Sequence, residues 1–136
     1  GEVPKVALVS HSNFGTAGTP SADRLHRAVE LLRERAPDLE VEGEMQADIA
    51  FNEEYRKRMF PHSRLSGQAN LLILPGLEAA NSSFNVLKSL GGGLPVGPIL
   101  LGAAQSAHIL TPSVTARGIV NMSALAVVDA QSREKA

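Results

Sequence analysis

The sequence predicts an α/β domain of three layers, with a mainly parallel sheet flanked by helices. Two observations carry this prediction. The runs Lys5–Ser10 and Ala69–Leu74 are apolar on nearly every successive residue, which is typical of parallel strands covered on both faces. Segments with helical periodicity follow each strand-like run, and alternation of this kind places helices over a parallel sheet. We therefore expect both runs to be central strands.

The first half of the chain predicts two strands and three helices. Lys5–Ser10 is the first strand, and a loop rich in glycine and small polar residues follows it. Ser21 is the predicted N-cap of the next helix, which Pro37 ends. Leu39–Gly43 alternates as a second strand. Residues 44–60 predict two short helices, with a break near Asn52.

The second half predicts a third strand followed by longer helices. Residues 69–76 are the most strand-like run of the chain, and residues 77–93 predict a helix with a glycine-rich end. Residues 97–104 and 107–112 predict two more short strands or extended segments. Residues 115–131 predict a terminal helix that is apolar on most faces and must pack against something. The polar tail, residues 132–136, is expected to fray.

Composition excludes several classes of function. The 136 residues are 43% apolar and carry a net charge of −1, so no basic surface for nucleic acid or acidic membrane is indicated. The chain has no cysteine, which excludes disulfides and thiolate chemistry and suits a reducing cytoplasm. No apolar run reaches membrane-spanning length. The chain opens at Gly1 without a methionine, so we expect a piece of a longer polypeptide.

The loop after the first strand is a candidate ligand contact. Ser10, Ser12, Asn13 and Gly15 offer hydrogen-bond donors at the carboxyl end of a strand, beside a helix N-terminus. The fingerprints of dinucleotide and nucleoside-triphosphate loops are both missing. An ordinary connection between strand and helix is the alternative interpretation.

The remaining polar clusters indicate weaker candidates. Carboxylates gather at Glu42, Glu44, Asp48, Glu53 and Glu54. Glu44 and Asp48 would share a helix face and could bind a hard cation or form an acid/base pair; a solvated helix start is favoured instead. The basic run Arg56–Phe60 is interpreted as a solvated helix face.

No histidine spacing suits zinc, and no metal site is predicted. His11 and His108, each at a strand end, are the only histidines that could form a functional pair; His26 is expected at the surface.

Four segments together resemble one family. They are KVALVSHSNFGT, VEGEMQADIAFN, LSGQANLLILPGLEAANSSFNVLK and VGPILLGAAQSAHILTPSVTARGIVNMSALAVVDAQ. The chain resembles the second half of the phosphate acetyl- and butyryltransferase family. Within it, the likeness is greatest to the acetyltransferase-like C-terminal domain of large bacterial NADP-dependent malic enzymes. The resemblance covers nearly the whole chain and implies the second half of the phosphate acetyltransferase-like fold.

The resemblance also implies where catalytic groups would lie. Active members carry a serine, an arginine and then an aspartate that deprotonates the thiol of coenzyme A. These positions fall on Thr111, Pro112 and Gly118, while a lysine and an arginine that bind coenzyme A or phosphate fall on Asn85 and Ser89. Proline cannot act as a guanidinium fork, and glycine cannot take a proton. No catalytic residue is therefore assigned. The pocket around Gly97, Gly102 and Thr111 could still accept an acyl-CoA, with Ser113 and Arg117 beside it.

The sequence thus predicts a catalytically inactive regulatory domain of an NADP-dependent malic enzyme, which converts malate to pyruvate and carbon dioxide. Acetyl-CoA is the expected effector, and the domain itself holds no cofactor; NADP and a divalent metal belong to the catalytic domains of the parent. Expected partners are those preceding domains and further copies of the chain, without nucleic acid or membrane. Residues 1–103 would form one subdomain, and residues 104–136 would pack on a missing first subdomain. The alternatives are an active acetyl- or butyryltransferase with displaced catalytic groups and a purely structural oligomerisation module.

Overall fold

The computed structural model describes residues 1–134 and contains three strands and five helices within them. In chain order these are β1 (Lys5–Val9), α1 (Pro20–Arg35), β2 (Glu40–Met45), α2 (Ala47–Phe51), α3 (Glu53–Met59), β3 (Leu71–Ile73), α4 (Leu77–Leu90) and α5 (Ala116–Arg133). The chain forms two compact units, Gly1–Asn85 and Val86–Ala136. The expected division after residue 103 concerns packing on a preceding subdomain and stays a prediction.

The first unit is built on a parallel sheet in the order β2-β1-β3. Val6 of the central strand lies between Val41 of β2 and Leu71 of β3. β1 is buried from Val6 to Val9, because its alternating side chains enter a core on each face of the sheet. The predicted α/β class with a parallel sheet is confirmed.

Two apolar cores cover the two faces of β1. On one face, Val6 and Leu8 pack with Leu25 and Val29 of α1. On the other face, Ala7 packs with the last residue of β2 and with buried residues that follow it: Met45, Ile49, Ala50, Leu65 and Ala69. Helices therefore lie on both faces of the sheet, as the apolar run of β1 predicts.

The start of α1 differs from the prediction by two residues. Thr19, not Ser21, is the N-cap, and its hydroxyl oxygen accepts a hydrogen bond from the Ala22 N–H at 3.4 Å. Pro20 then occupies the first helical position, where its missing N–H costs nothing and its fixed φ suits the helix. The predicted break near Asn52 is confirmed, since the Asn52 side chain caps α3 by accepting from the Tyr55 N–H.

β2 is longer than predicted and includes Glu44. Gly43 makes this possible, because its φ of +143° and its position against β1 exclude a side chain. A Cβ at Gly43 would lie 2.7 Å from the Leu8 carbonyl oxygen. The pairing of β1 with β2 shifts register at Leu8 and Val9, which continues the strand to Met45.

Two expectations about strands and ends are wrong, and a third is narrowed to one of its two alternatives. β3 is an edge of the described sheet rather than a central strand, and Leu71 and Ile73 are exposed. Residues 97–104 and 107–112 form no strand in the described part of the chain, because a strand needs a hydrogen-bonding neighbour; of the two forms expected for them, the extended segment remains. Both runs leave apolar side chains such as Leu101 exposed. Ser132 and Arg133 belong to α5 instead of a frayed tail; residues 135 and 136 lie outside the described residues.

The second unit ends in the predicted terminal helix, α5. Thr115 caps it, accepting from the Gly118 N–H at 3.1 Å. Arg133 donates to the Ala103 carbonyl, 2.9 Å away, which ties the helix to the preceding extended segment. Met122 is the buried residue of α5, and four large apolar side chains are exposed: Ile119, Val120, Val127 and Val128. Over residues 1–134, no helix has the length and hydropathy needed to span a membrane.

Candidate functional site

The loop between β1 and α1 turns its donors inward, onto a carboxylate of its own chain. The Ser12 hydroxyl and the Gly15 N–H both donate to Oε1 of Glu44, at 2.7 and 2.8 Å. His26 Nδ1 of α1 lies 3.1 Å from Oε2 of the same side chain. Because a carboxylate can only accept, His26 must carry its proton on Nδ1 to make this bond. The arrangement resembles an anion-binding nest in which Glu44 supplies the anion.

Glu44 is fully buried and remains ionised at neutral pH. Its side chain has no exposed surface, and burial alone raises the pKa of the carboxyl. The hydrogen bonds from the Gly15 N–H and the Ser12 hydroxyl outweigh burial and hold the pKa of Glu44 below its ordinary value. The carboxylate therefore holds the loop as a charge-assisted acceptor.

Two further candidates of this loop also bond within the chain. The Ser10 hydroxyl oxygen accepts from the Ser12 N–H at 3.3 Å. The Asn13 side-chain oxygen accepts from the Gln46 N–H at 2.8 Å, and the Gln46 amide donates to the His11 carbonyl at 3.1 Å. The loop is thus fastened at several points to the end of β2. Its part in ligand binding stays a prediction.

The acidic cluster is not a solvated helix start, and that interpretation is wrong for Glu42 and Glu44. Both residues lie in β2 and are buried, whereas Asp48 is exposed on α2. Glu42 accepts from Arg33 Nη2 and from the Arg64 N–H, each at 2.6 Å. A strand with apolar neighbours can bury carboxylates when every oxygen has a donor.

Arg56 is also buried, contrary to the solvated face predicted for Arg56–Phe60. Its guanidinium donates to the carbonyl oxygens of Ile49, Ala50, Leu65 and Gly67. Burial lowers the pKa of Arg56; the group still stays charged, because the ordinary arginine value is so high. The side chain fastens α3 to the segment before β3. Nothing in the sequence distinguishes it from the exposed Lys57 and Arg58 beside it.

The candidates near α5 form a polar turn before the helix. The hydroxyls of Thr111 and Ser113 lie 3.2 Å apart and are exposed, and the Thr111 carbonyl accepts from the Val114 N–H at 3.0 Å. Arg117 is exposed in the first turn of α5. Gly102 has a φ of +82° with open space around its Cα. The turn therefore presents hydroxyl, cationic and open backbone groups to solvent.

Gly118 has no room for a side chain as the helix stands. A Cβ at this position would lie 2.8 Å from Cγ2 of Val114 and 3.4 Å from Oγ1 of Thr115. Real side chains do not approach so closely, so Val114 would have to move. At the position where the resemblance implies an aspartate, the chain therefore has a glycine against which the Val114 side chain packs.

The other predicted residues lie apart along the chain. Asn85 and Ser89 are one turn apart on α4, and the Asn85 amide donates to the Asn81 carbonyl at 2.9 Å. His11 belongs to the first unit and His108 to the second, where His108 Nδ1 accepts from the Leu100 N–H at 3.3 Å. Among residues 1–134, no three histidine or carboxylate side chains gather as metal ligands would.

Comparisons with known proteins agree on the family. Residues 1–127 match the family described as phosphate acetyl/butaryl transferase. The chain is 57% identical over 129 residues to an NAD-dependent malic enzyme of Rhizobium meliloti and 50% identical over 131 residues to the NADP-dependent malic enzyme of Escherichia coli. These matches cover 95% and 96% of the chain, but only 17% of each malic enzyme. The phosphate acetyltransferase of Paracoccus denitrificans is 41% identical over 124 residues, which are 91% of the chain and 39% of that protein.

Solved structures agree with the sequence matches. A phosphotransacetylase from Streptococcus pyogenes superimposes with a TM-score of 0.90 at 30% identity, over 96% of this chain and 40% of that one. The EutD phosphotransacetylase from Staphylococcus aureus gives 0.85 at 31% identity, over 94% and 40%. With 127 of 136 residues matched to one family and the same fold in solved relatives, this chain belongs to the phosphate acetyl/butaryl transferase family.

Proposed function

We propose that this chain is an acyl-CoA-binding regulatory domain of a malic enzyme and has no transferase activity of its own. The observation that carries the proposal is that residue 118 is a glycine in the first turn of α5 and has no group that could take a proton. The resemblance implies a catalytic aspartate there. An enzyme of this family without that base, and with Pro112 in place of the arginine, lacks both proton removal and the phosphate clamp.

The groups that remain near α5 suit binding rather than chemistry. The exposed hydroxyls of Thr111 and Ser113 can hydrogen-bond an acyl or phosphate oxygen, and Arg117 supplies positive charge. Gly102 leaves open space where a ligand could approach the backbone. Asn85 and Ser89 of α4 are also proposed as contacts, from the family resemblance alone. In the loop after β1, Ser10, Ser12, Asn13 and Gly15 are the further proposed contacts.

The malic enzymes among the relatives support a regulatory role. Two malic enzymes are 57% and 50% identical to the chain. A domain that binds acetyl-CoA within such an enzyme would make its activity depend on the supply of acetyl groups. Acetyl-CoA would act by binding two states of the parent with different affinity. NADP and a divalent metal would act in the catalytic domains of the parent, in the cytoplasm. The nucleotide stays a prediction, since one relative is named for NAD and another for NADP.

Two measurements test the proposal. First, the chain should acetylate coenzyme A from acetyl phosphate no faster than a control without protein. Second, acetyl-CoA added to the full-length parent should change the rate of malate oxidation. The double variant Thr111→Val, Ser113→Ala should need about tenfold more acetyl-CoA, the loss expected for one or two hydrogen bonds to a charged ligand.

The exposed Ser123 of α5 provides the matched control, because Ser123→Ala removes a hydroxyl outside the proposed site and should respond as the wild type does. Steady acetylation of coenzyme A would establish an active transferase instead. An unchanged rate of malate oxidation at saturating acetyl-CoA would refute the effector role.

A structural role in oligomerisation is the second candidate, favoured by the exposed apolar side chains of α5. Val120 and Val128 are 67% and 58% exposed, and contiguous apolar surface of this kind marks contact sites. We propose that a second copy covers this helix. Sedimentation at micromolar concentration should give a dimer or larger species, and Val120→Lys should shift it toward monomer. A monomeric wild-type chain would exclude this role.

A further inference from the structure

Helix α3 and the end of α2 expose three large side chains at the surface of the first unit. Phe51, Tyr55 and Met59 are 45%, 36% and 52% exposed, although the neighbouring Arg56 is buried and fastens α3 to the unit from its other side. Tyr55 and Met59 are one turn apart on α3 and therefore lie side by side. With two charged residues of the same helix, these side chains form what we call the α3 face: Phe51, Glu54, Tyr55, Arg58 and Met59.

The α3 face carries two charges that form no ion pair within residues 1–134. Glu54 and Arg58 are both exposed, and their spacing of four residues would allow a pair. Glu53 and Lys57 have the same spacing and do pair, with 2.6 Å between Oε1 and Nζ. The Arg58 guanidinium lies instead over the Tyr55 ring, 5.4 Å from its centroid. An acid near the start of the helix and a base near its end therefore remain available to a partner.

A groove on this face suits protein side chains better than a small molecule. It has a volume of about 180 Å³ and is lined by Asn52, Glu54, Tyr55 and Arg58. Small-molecule sites are larger, at about 300–1,000 Å³, and mainly apolar. Because the lining contains one acid and one base, neither an anion nor a cation is favoured as the ligand. A partner with both charges would match it.

We propose that the α3 face binds the same face of a second copy of this chain, about a twofold axis that crosses the middle of α3. The axis reverses the direction of the second helix. It therefore brings Glu54 of each copy opposite Arg58 of the other, and the contact forms twice. Tyr55 and Met59 of each copy would then lose exposed surface beside these pairs. This self-complementary order of charges is what favours a second copy over another protein.

The contact is expected to be weak in the isolated chain. The α3 face is small, and each exposed ion pair contributes little, so we expect a dissociation constant on the order of 0.1 mM. In a parent protein assembled through other contacts, a higher effective concentration would strengthen it. The face belongs to the first unit, so the proposal depends neither on the contact through α5 nor on acyl-CoA.

Charge reversal tests the predicted pairs, with self-association followed by sedimentation between about 0.01 and 1 mM. All chains carry Val120→Lys, which weakens the separate contact through α5. Glu54→Arg places two arginines opposite each other at both ends of the contact, and Arg58→Glu places two glutamates there. Each variant alone should self-associate at least about tenfold more weakly than the chain with Val120→Lys only.

An equal mixture of the two variants is the decisive sample. Across a twofold axis, the acidic face of one variant complements the basic face of the other, so the mixture should form a dimer within about threefold of the affinity of the starting chain. Only a contact in which residues 54 and 58 of different copies meet predicts this recovery.

Glu34→Arg, the same charge change at an exposed position of α1, is the matched control and should associate as the starting chain does. Far-UV circular dichroism verifies that each variant is folded. The proposal is overturned if the starting chain stays monomeric to about 1 mM, if both single variants associate as tightly as it does, or if their mixture does not associate. Coverage of the face by another domain of the parent would give the first of these results.

Discussion

Removal of the Glu44 carboxylate from β2 should destabilise the first unit more than any single change in the loop after β1. In Glu44→Ala, the Ser12 hydroxyl and the Gly15 N–H lose their acceptor, and His26 loses its bond as well. His26 is half exposed and can bond to water, so its loss is small. Ser12 is buried, and the cost of an unsatisfied buried donor is about 1–3 kcal/mol.

Each donor also loses a hydrogen bond to a charged acceptor, which contributes about 1.5–3 kcal/mol. Because Gly15 lies at the surface and its N–H can regain part of this from water, the expected loss in the free energy of unfolding is about 2–5 kcal/mol. The lower end applies if the Ser12 hydroxyl turns to Thr16 Oγ1, which lies 3.4 Å away. Glu44→Gln should cost less, about 1–3 kcal/mol, because its amide oxygen can still accept from both donors without a charge. Against a total stability of about 5–15 kcal/mol, either loss is readily measured.

Urea unfolding followed by far-UV circular dichroism measures both variants. Glu54→Gln, on the exposed side of α3, is the control and should lie within about 0.5 kcal/mol of the wild type. A cycle combining Glu44→Gln with Ser12→Ala should show coupling, since the two side chains share one hydrogen bond. If Glu44→Ala loses less than about 1 kcal/mol, the carboxylate does not hold the loop and the reasoning fails.

Three further outcomes are expected from buried groups of the first unit. The stability that Glu44 contributes should be fully present above its unfolded pKa of about 4.3 and lost as the pH falls through its lower folded pKa. The unfolding temperature of Glu44→Gln should therefore depend less on pH across that range than that of the wild type. Identical pH dependence in the two proteins would contradict this. Gly43→Ala should lower the free energy of unfolding by at least about 2 kcal/mol, because its Cβ would lie 2.7 Å from the Leu8 carbonyl oxygen. Gly76 has open space and no positive φ, so the control Gly76→Ala should unfold in urea like the wild type. Arg56→Lys should lower the free energy of unfolding by about 2–4 kcal/mol, because it leaves buried carbonyls without donors. The control Arg58→Lys, at an exposed position, should be as stable as the wild type. Equal urea midpoints for the two variants would show that the buried hydrogen bonds of Arg56 do not stabilise the unit.

The sequence correctly predicts those helices and strands that depend on residues close together in the chain. The apolar run of β1, the end of α1 before Pro37 and the interruption at Asn52 appear where the sequence places them. Each depends on periodicity or on a cap within a few residues. The family resemblance is likewise carried by contiguous segments, and the match over residues 1–127 confirms it.

Features that depend on distant partners are not predictable in the same way. Glu44 looks like a helix start because Gln46, Ala47 and Asp48 follow it, yet a strand register set by Gly43 and Leu8 buries it. Arg56 has glutamate and lysine residues near it in the chain. It is buried because carbonyl groups up to eleven residues away accept its hydrogen bonds. Residues 97–104 have strand-like composition but no strand forms there, because pairing is a property of two segments.

Exposure and order are separate properties in the loop after β1. Gly15 lies at the surface, but its N–H donates a hydrogen bond to the buried Glu44 carboxylate. The Ala17 N–H donates to the buried Ser12 hydroxyl oxygen. Breaking either bond uncovers part of the Glu44 network, so these amides should exchange with solvent only when β2 and α1 also separate. Hydrogen exchange would then group this surface loop with the core sheet as one cooperative unit. A ligand that reaches the loop would meet a surface already ordered, and its binding would carry little of the entropy cost that a mobile loop imposes.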